Sequence, residues 1–205
     1  STDSSRPYDP YFLDDPELRT GKHKTVIALP GYLSSIGHFI RSEDLKKELN
    51  EQFRQIHPNI DASLSLSKIR NLKVSLLKVA QACDLELSTV AKSYTLFEKL
   101  VLKDVVNKTN RKLVGAACLL LATKANDSKD VMYPNLIVQL CEQLELSHAD
   151  LIAAEFPVLA ALDFGLFLAQ PEYLPHMERI LTGLDYSNIQ EYLGERMYAL
   201  WKSEL

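Results

Sequence analysis

The stretch Lys112-Leu-Val-Gly-Ala-Ala-Cys-Leu-Leu-Leu-Ala-Thr-Lys124 decides the fold of this chain. It follows Asn110, a residue type that favours helix N-caps, and it is apolar almost all round between its terminal lysines. The small residues Gly115-Ala-Ala117 give it a narrow waist. Such a helix is typical of the centre of a bundle, where neighbouring helices pack closely on every side. We therefore predict a central, buried helix over residues 110–125.

Amphipathic helical patterns lie on both sides of this segment, because apolar residues recur there at spacings of three and four. The predicted helices cover about 29–36, 42–55, 65–82, 88–101, 134–144 and 147–162, and two more begin at Pro171 and Ser187. No alternating strand pattern is evident, and no Asn-Gly or Asp-Gly hairpin turn occurs. The predicted fold class is therefore all-α, with short loops between helices.

The composition is that of an ordinary folded chain. Of the 205 residues, 46% are apolar and 24% are charged. A chain of this length and apolar content can bury the core of one domain or of two small ones. The net charge of −4 and the pI near 5.8 argue against nucleic acid or an anionic membrane as the main partner. The longest apolar stretch, Leu113–Thr123, is about half of a membrane span.

The three cysteines, Cys83, Cys118 and Cys141, are widely spaced and predict neither a zinc site nor a disulfide framework. A reducing intracellular compartment fits this usage. The sequence has no initiator methionine and no signal peptide, so we expect a fragment of a longer protein.

Residues 1–27 contain three prolines and no periodicity, which predicts an extended N-terminal arm. Within it, Tyr11–Pro16 can close a turn and pack its aromatic rings on the helical body. A small basic cluster follows, consisting of Arg19, Lys22, His23 and Lys24. Two interpretations stay open: a solvated arm, or a docking strip for an acidic partner.

Three charged residues, Glu98, Lys124 and Glu155, fall on apolar helix stripes. Lys124 lies eleven positions after Leu113, which is three helical turns and the same face. A charge beside a core is costly unless it is paired. One interpretation is a snorkelling lysine and two ordinary surface glutamates. The other is that Lys124 and Glu155 pair at one end of the bundle and offer hydrogen-bonding groups to a partner's backbone.

Three segments of the chain resemble a cyclin box. Lys112–Lys124 resembles its central helix, Thr89-Val-Ala-x-x-Tyr-x-x-Phe-Glu98 its second helix, and Glu155-Phe-Pro-Val-Leu-Ala-Ala-Leu-Asp-Phe164 its fifth. The match covers about 65–168 in cyclin order and near-cyclin spacing. The resemblance implies one box, a five-helix bundle around a central apolar helix. The chain is then expected to divide into four regions. These are an extended arm over 1–27, N-terminal helices packing on the box over 28–60, the box over 61–168, and C-terminal helices over 169–205.

A closer resemblance, extending to about residue 180, is to the C-terminal region of the Cables proteins. These are cyclin-box proteins described as substrates and linkers of cyclin-dependent kinases and Abl-type tyrosine kinases. The similar segments are Tyr8-Asp-Pro-x-x-Leu-Asp-Asp-Pro-Glu-Leu-Arg-x-Gly-Lys-His-Lys-Thr-Val26, Asp44-Leu-Lys-Lys47, Leu66-Ser-Lys-Ile-Arg70, Asn110-Arg-Lys-Leu113 and Glu155-Phe-Pro-Val-Leu159. The last helix, around 187–203, has no match in this comparison.

The resemblance implies a non-catalytic regulator of the cell cycle in the nucleus and cytoplasm. Its expected partner is a cyclin-dependent kinase, with an Abl-type tyrosine kinase linked through the full-length protein. The expected outcome is inhibitory tyrosine phosphorylation of the cyclin-dependent kinase. The alternative is a cyclin-fold scaffold that no longer contacts a kinase.

The resemblance also implies roles for individual residues. Lys124 and Glu155 match the cyclin pair that contacts the regulatory helix of the kinase. Glu98 matches the acidic member of an internal ion pair whose arginine position falls on Ile69 here. Either Arg70 pairs with Glu98 through a small shift, or Glu98 has another partner.

Substrate recruitment through an apolar groove is not expected. Cyclins that recruit substrates carry a Met and a Trp in that groove, and Lys68 and Ser75 occupy the matching positions here, although Leu72 remains. We therefore do not expect docking of short Arg-x-Leu motifs.

The sequence contains no catalytic or cofactor-binding constellation. The five histidines are scattered, without a metal-ligand spacing such as HExxH, and no glycine-rich phosphate loop is present. Cys118 lies inside the predicted central helix, where a thiol is normally inert. We therefore expect a binding module with no cofactor and no metal.

Overall fold

The structure is a computed structural model that describes residues 7–15, 24–29, 32–37, 42–127 and 132–203. In these ranges the chain forms a two-stranded hairpin followed by eight helices. The elements are β1 (Lys24–Leu29), β2 (Tyr32–Gly37), α1 (Ser42–Ile56), α2 (Leu66–Ala82), α3 (Leu87–Leu102), α4 (Arg111–Asn126), α5 (Tyr133–Leu144), α6 (His148–Ala161), α7 (Gln170–Gly183) and α8 (Ile189–Ser203). The predicted all-α class is confirmed, with this one hairpin as an addition.

The centre of the bundle is α4, as the sequence predicts. Every residue from Val114 to Thr123 is buried, and α2, α3, α5 and α6 all contact this helix. Gly115 permits one of these contacts, since a Cβ atom there would lie 2.7 Å from a side-chain methyl carbon of Leu72. The absence of that Cβ lets α2 pack tightly against the central helix.

The five helices α2–α6 form the predicted bundle around α4, and α1 and α7 pack on its outside. Local sequence signals set several helix starts. The hydroxyl of Ser147 accepts a hydrogen bond from the backbone N–H of Asp150 at 3.4 Å, which caps α6. Proline lies in the first turn of α5 and of α7, where its missing N–H leaves no hydrogen bond unmade.

The short helix predicted over residues 29–36 is wrong. The backbone pairs there as an antiparallel hairpin, from Lys24 opposite Gly37 to Leu29 opposite Tyr32. The β-branched run Thr25-Val-Ile27 favours extended backbone, and Pro30-Gly31 is a dipeptide typical of turns. The apolar spacing that suggested a helix is too short to outweigh these signals.

Residues 7–15 of the N-terminal arm pack on the helical body. The predicted turn forms slightly earlier than expected, with the N–H of Phe12 donating to the carbonyl of Asp9 at 3.1 Å. The residue that anchors the arm is Leu13, which is fully buried, whereas Tyr11 and Phe12 remain almost half exposed.

Most of the basic cluster proposed as a docking strip lies outside the described residues. This applies to Arg19, Lys22 and His23. Only the backbone of Lys24 is described, as the first residue of β1.

Candidate functional site

The pair predicted at one end of the bundle is present. Lys124, in the last turn of α4, donates a hydrogen bond from its ammonium group to the Glu155 carboxylate on α6. The side chains are 42% and 23% exposed, so solvent reaches both. Each therefore keeps hydrogen-bonding capacity for a partner: further N–H donors on Lys124 and a second carboxylate oxygen on Glu155.

Large exposed apolar side chains lie near Glu155 on α6 and just after the end of that helix. Ile152 and Phe156 flank Glu155 on α6 and are 44% and 66% exposed, and Phe164 just beyond the helix is 62% exposed. The rings of Phe156 and Phe164 meet edge to face at 6.1 Å. We call Ile152, Phe156 and Phe164 the α6 patch. A contiguous group of large exposed apolar side chains is typical of a protein–protein interface.

The central helix α4 and its neighbour α3 share a layer of buried apolar side chains. It consists of Phe97, Leu100, Val101, Leu120 and Leu121, each at most 2% exposed. Because α4 packs against both α3 and α6, this layer helps to fix the positions of these helices.

The internal ion pair of Glu98 does not involve Arg70, and that prediction is wrong. Glu98 is fully buried on α3, and its Oε1 accepts a hydrogen bond from Lys73 Nζ on α2 at 2.5 Å. Lys73 lies one turn beyond Ile69, where the resemblance puts the arginine, and therefore on the same helix face. Arg70 points elsewhere and donates from Nε and Nη2 to Asp14 of the arm, at 3.0 and 2.7 Å.

Tyr8 and His176 complete the buried cluster around Glu98. The Tyr8 hydroxyl donates to Glu98 Oε2 at 2.5 Å, and His176 Nε2 lies 2.8 Å from the same hydroxyl oxygen. Arg179 Nη2 lies 2.9 Å from His176 Nδ1. Since arginine only donates, Nδ1 is the acceptor and the proton of the neutral ring lies on Nε2, facing Tyr8.

The electrostatics of this cluster follow from its burial. Burial raises the pKa of Glu98, but the charge of Lys73 and the hydrogen bond from His176 together lower that pKa well below its usual value. Burial lowers the pKa of His176 despite the nearby Glu98 carboxylate. Burial and the Glu98 charge raise the pKa of Tyr8. At neutral pH the cluster therefore holds an ionised glutamate, a neutral histidine and a protonated tyrosine.

This cluster is structural, and no pattern in the sequence pointed to its members Tyr8, Lys73 and His176. The available signal was Glu98 itself, because a carboxylate on an apolar stripe needs donors from somewhere in the fold. Nothing local in the sequence indicates that the arm and α7 supply two of them.

The described residues include histidines, acidic side chains and three cysteines. Within them, no group of three or more His, Cys, Asp or Glu side chains is placed to hold a metal ion. Cys83, Cys118 and Cys141 are free thiols, and burial raises the pKa of Cys118. None of the helices in the described ranges combines the length and the apolar character needed to cross a membrane.

Comparison with known proteins places this geometry in a family context. Residues 35–167 match the family described as "Cyclin, N-terminal domain". The chain is 47% identical over 176 residues to the Homo sapiens protein "CDK5 and ABL1 enzyme substrate 1", a match that covers 85% of this chain and 28% of that protein. It is 42% identical over 174 residues to the Mus musculus protein "CDK5 and ABL1 enzyme substrate 2", covering 84% of this chain and 36% of that protein.

These matches confirm the resemblance to Cables proteins seen in the sequence. The chain spans about a third of the length of the curated relatives it matches, since the covered shares are 28% to 36%. No solved structure is significantly similar to it.

Proposed function

This chain belongs to the family defined by the cyclin N-terminal domain, and from this membership we propose that it is a non-catalytic regulator that binds a cyclin-dependent kinase. The proposed contact surface is the Lys124–Glu155 pair together with the α6 patch. The names of the relatives support a kinase partner, since they describe those proteins as substrates of CDK5 and ABL1.

The observation that carries the proposal is the exposed ion pair set among exposed apolar side chains. Ile152, Phe156 and Phe164 offer apolar area, which stabilises a complex by about 25 cal/mol for each Å² removed from water. The pair supplies direction, because the spare N–H groups of Lys124 and the spare oxygen of Glu155 can bond to the backbone ends of a partner helix. An amphipathic helix of the kinase is the kind of element that such a surface fits.

We further propose that the whole protein links the bound kinase to an Abl-type tyrosine kinase in the nucleus and cytoplasm. Inhibitory tyrosine phosphorylation of the cyclin-dependent kinase is the expected consequence. The support is the resemblance and the names of the relatives, about two thirds of whose length lies outside the match.

The test is a calorimetric titration of this chain with purified CDK5 and a small panel of other cyclin-dependent kinases. The variants are Lys124→Glu, which places two carboxylates side by side, and Phe156→Ser, which removes the largest part of the α6 patch. We expect each to weaken binding by at least about tenfold, since tenfold corresponds to only 1.4 kcal/mol.

Lys112→Glu is the matched control. Lys112 lies on the same helix α4 and forms an exposed ion pair with Glu145, but at the opposite end. The Lys112→Glu variant should bind the kinase as tightly as the unmodified chain does. Equal losses for Lys112→Glu and Lys124→Glu would contradict the assigned face. If no kinase of the panel binds the folded chain, the proposal is wrong. The alternative, a cyclin-fold scaffold that does not contact a kinase, then applies.

A further inference from the structure

Four cationic residues from separate segments converge at one corner of the bundle. Arg54 lies near the end of α1, Lys68 in the first turn of α2, Lys108 in the loop between α3 and α4, and Arg111 at the start of α4. We call these four residues the basic corner. The chain as a whole carries a net charge of −4, so this local excess of positive charge is not a consequence of composition.

Ser63 contacts two of these residues, and a third contacts one of those two. Lys68 Nζ donates to the Ser63 carbonyl at 2.7 Å, and the backbone N–H of Lys108 donates to the Ser63 hydroxyl at 3.1 Å. The Arg111 guanidinium in turn donates to the carbonyl of Lys108. The side chains of Lys68 and Arg111 are thus placed by contacts to neutral carbonyl oxygens. The Asp61 carboxylate accepts hydrogen bonds from the N–H and the hydroxyl of Ser63, but it lies beyond ion-pair distance of the four cations.

Several other surface lysines of this chain have acidic partners, whereas the four residues of the basic corner have none in the described part of the chain. Lys99 pairs with Glu172 and Lys103 with Asp163. Within the described ranges no carboxylate lies within ion-pair distance of any of the four corner residues. Burial and, after it, the charges of Lys108, Arg111 and Arg54 lower the pKa of Lys68, as expected where like charges lie close together.

We infer that the basic corner is a docking site for a short acidic peptide segment of a partner protein. An acidic segment would replace cation–cation repulsion with attraction, and two of the four donors, Lys68 and Arg111, are already positioned by contacts within the chain. A long polyanion such as nucleic acid fits less well, because four cations give a short contact and the net charge of −4 repels the rest of it.

The basic corner lies at the opposite end of α4 from the proposed kinase-binding surface. Arg111 and Lys124 lie at opposite ends of α4, about 20 Å apart at 1.5 Å per residue. A peptide on the basic corner would therefore leave the Lys124–Glu155 pair and the α6 patch free. The inference does not depend on the proposed kinase binding, and each can fail without the other.

The probe for the test is a fluorescein-labelled octapeptide of alternating aspartate and glutamate, titrated with the full chain by fluorescence anisotropy. Its counterpart of asparagine and glutamine is the negative control. We expect saturable binding of the acidic peptide alone, weakening as salt is raised. Lys68→Glu combined with Lys108→Glu should weaken it by at least about tenfold, a change of 1.4 kcal/mol.

Two further variants separate the outcomes. Lys108→Glu alone changes an exposed side chain, and it guards against a folding defect in the double variant. The Lys124→Glu variant should bind the peptide as the unmodified chain does, while its binding to the kinase is weakened. The inference is overturned if the acidic peptide does not bind, if the corner variants bind it unchanged, or if oligothymidylate of equal charge binds as well as the peptide.

Discussion

Two lysine–glutamate pairs in this bundle have the same chemistry and opposite surroundings. Lys73 and Glu98 join α2 to α3 with side chains 9% and 0% exposed. Lys124 and Glu155 join α4 to α6 with side chains 42% and 23% exposed. Each pair bridges two neighbouring helices of one cyclin box, so the difference between them lies in what surrounds the charges.

The buried pair has all its polar atoms engaged by its own chain. Tyr8 donates to the second oxygen of Glu98, and Tyr8 in turn is held by His176. The exposed pair has large apolar neighbours in place of donors. A completed polar shell is a stabilising arrangement, whereas an ion pair with spare capacity beside exposed rings favours a partner. The comparison therefore indicates a stabilising role for the buried pair and supports the recognition role that we propose for the exposed pair.

The largest expected effect is that of Lys73→Met. It leaves the fully buried Glu98 carboxylate without its cation, and breaking a buried pair in this way costs about 3–5 kcal/mol of unfolding free energy. Urea denaturation followed by circular dichroism measures it. Lys124→Met is the matched control and should change the unfolding free energy by less than about 1 kcal/mol. Similar losses of unfolding free energy for the two variants would mean that the buried and the exposed pair contribute equally to stability.

Tyr8→Phe should give the next largest loss of stability. It keeps the ring but removes the hydroxyl that links Glu98 to His176, and a hydrogen bond to a charged group is worth about 1.5–3 kcal/mol. Amide hydrogen exchange should show faster exchange over residues 7–15. Tyr11→Phe serves as the control, because Tyr11 lies on the same arm and is almost half exposed. Equal stability of the two variants would mean that the arm does not secure the buried cluster.

Acidification should destabilise the chain through the buried cluster. Because burial lowers the pKa of His176 in the fold, its contribution is complete above the ordinary value of 6.5 and declines as the pH falls below it. The lowered pKa of Glu98 acts in the same direction, with a contribution that is present above 4.5 and declines below that value. Burial also lowers the pKa of His57, which adds to the first of these ranges.

Melting temperatures recorded between pH 7 and pH 4 measure this dependence. His176→Gln should flatten the curve between pH 7 and pH 5.5 without removing the fall below pH 4.5. His148→Gln is the control, since His148 is exposed at the start of α6. A melting temperature that rises on acidification would contradict the assigned protonation states.

The exposed pair could be predicted from the sequence because its evidence is local. The stripe that begins at Leu113 carries Lys124 to the end of the central helix, and Glu155 stands out within an apolar run on α6. The partners of Glu98 are not local: Tyr8 lies 90 residues earlier, and His176 lies 78 residues later on α7. Periodicity reports which face of a helix is buried, but not which distant segment packs against it.

The choice between Arg70 and Lys73 shows the same limit. Both lie on α2, and the sequence favoured Arg70 because it adjoins the position implied by the resemblance. In the structure Arg70 pairs with Asp14 of the arm, and Lys73 pairs with Glu98. The hairpin of residues 24–37 was missed for a related reason, since a few apolar residues at short spacing suit a helix or a strand alike.

The smallest expected effect on stability is that of the charge swap Lys124→Glu with Glu155→Lys. The swap keeps an exposed ion pair, and such pairs contribute at most about 1 kcal/mol, so helicity and melting temperature should be nearly unchanged. Kinase binding should nevertheless weaken, because the donor and the acceptor presented to the partner exchange places. The corresponding swap of Lys73 and Glu98 should prevent stable folding, since Tyr8 would then donate its hydrogen bond toward an ammonium group. If the exposed swap binds the kinase as well as the unmodified chain does, Lys124 and Glu155 do not orient the partner, and recognition rests on the α6 patch alone.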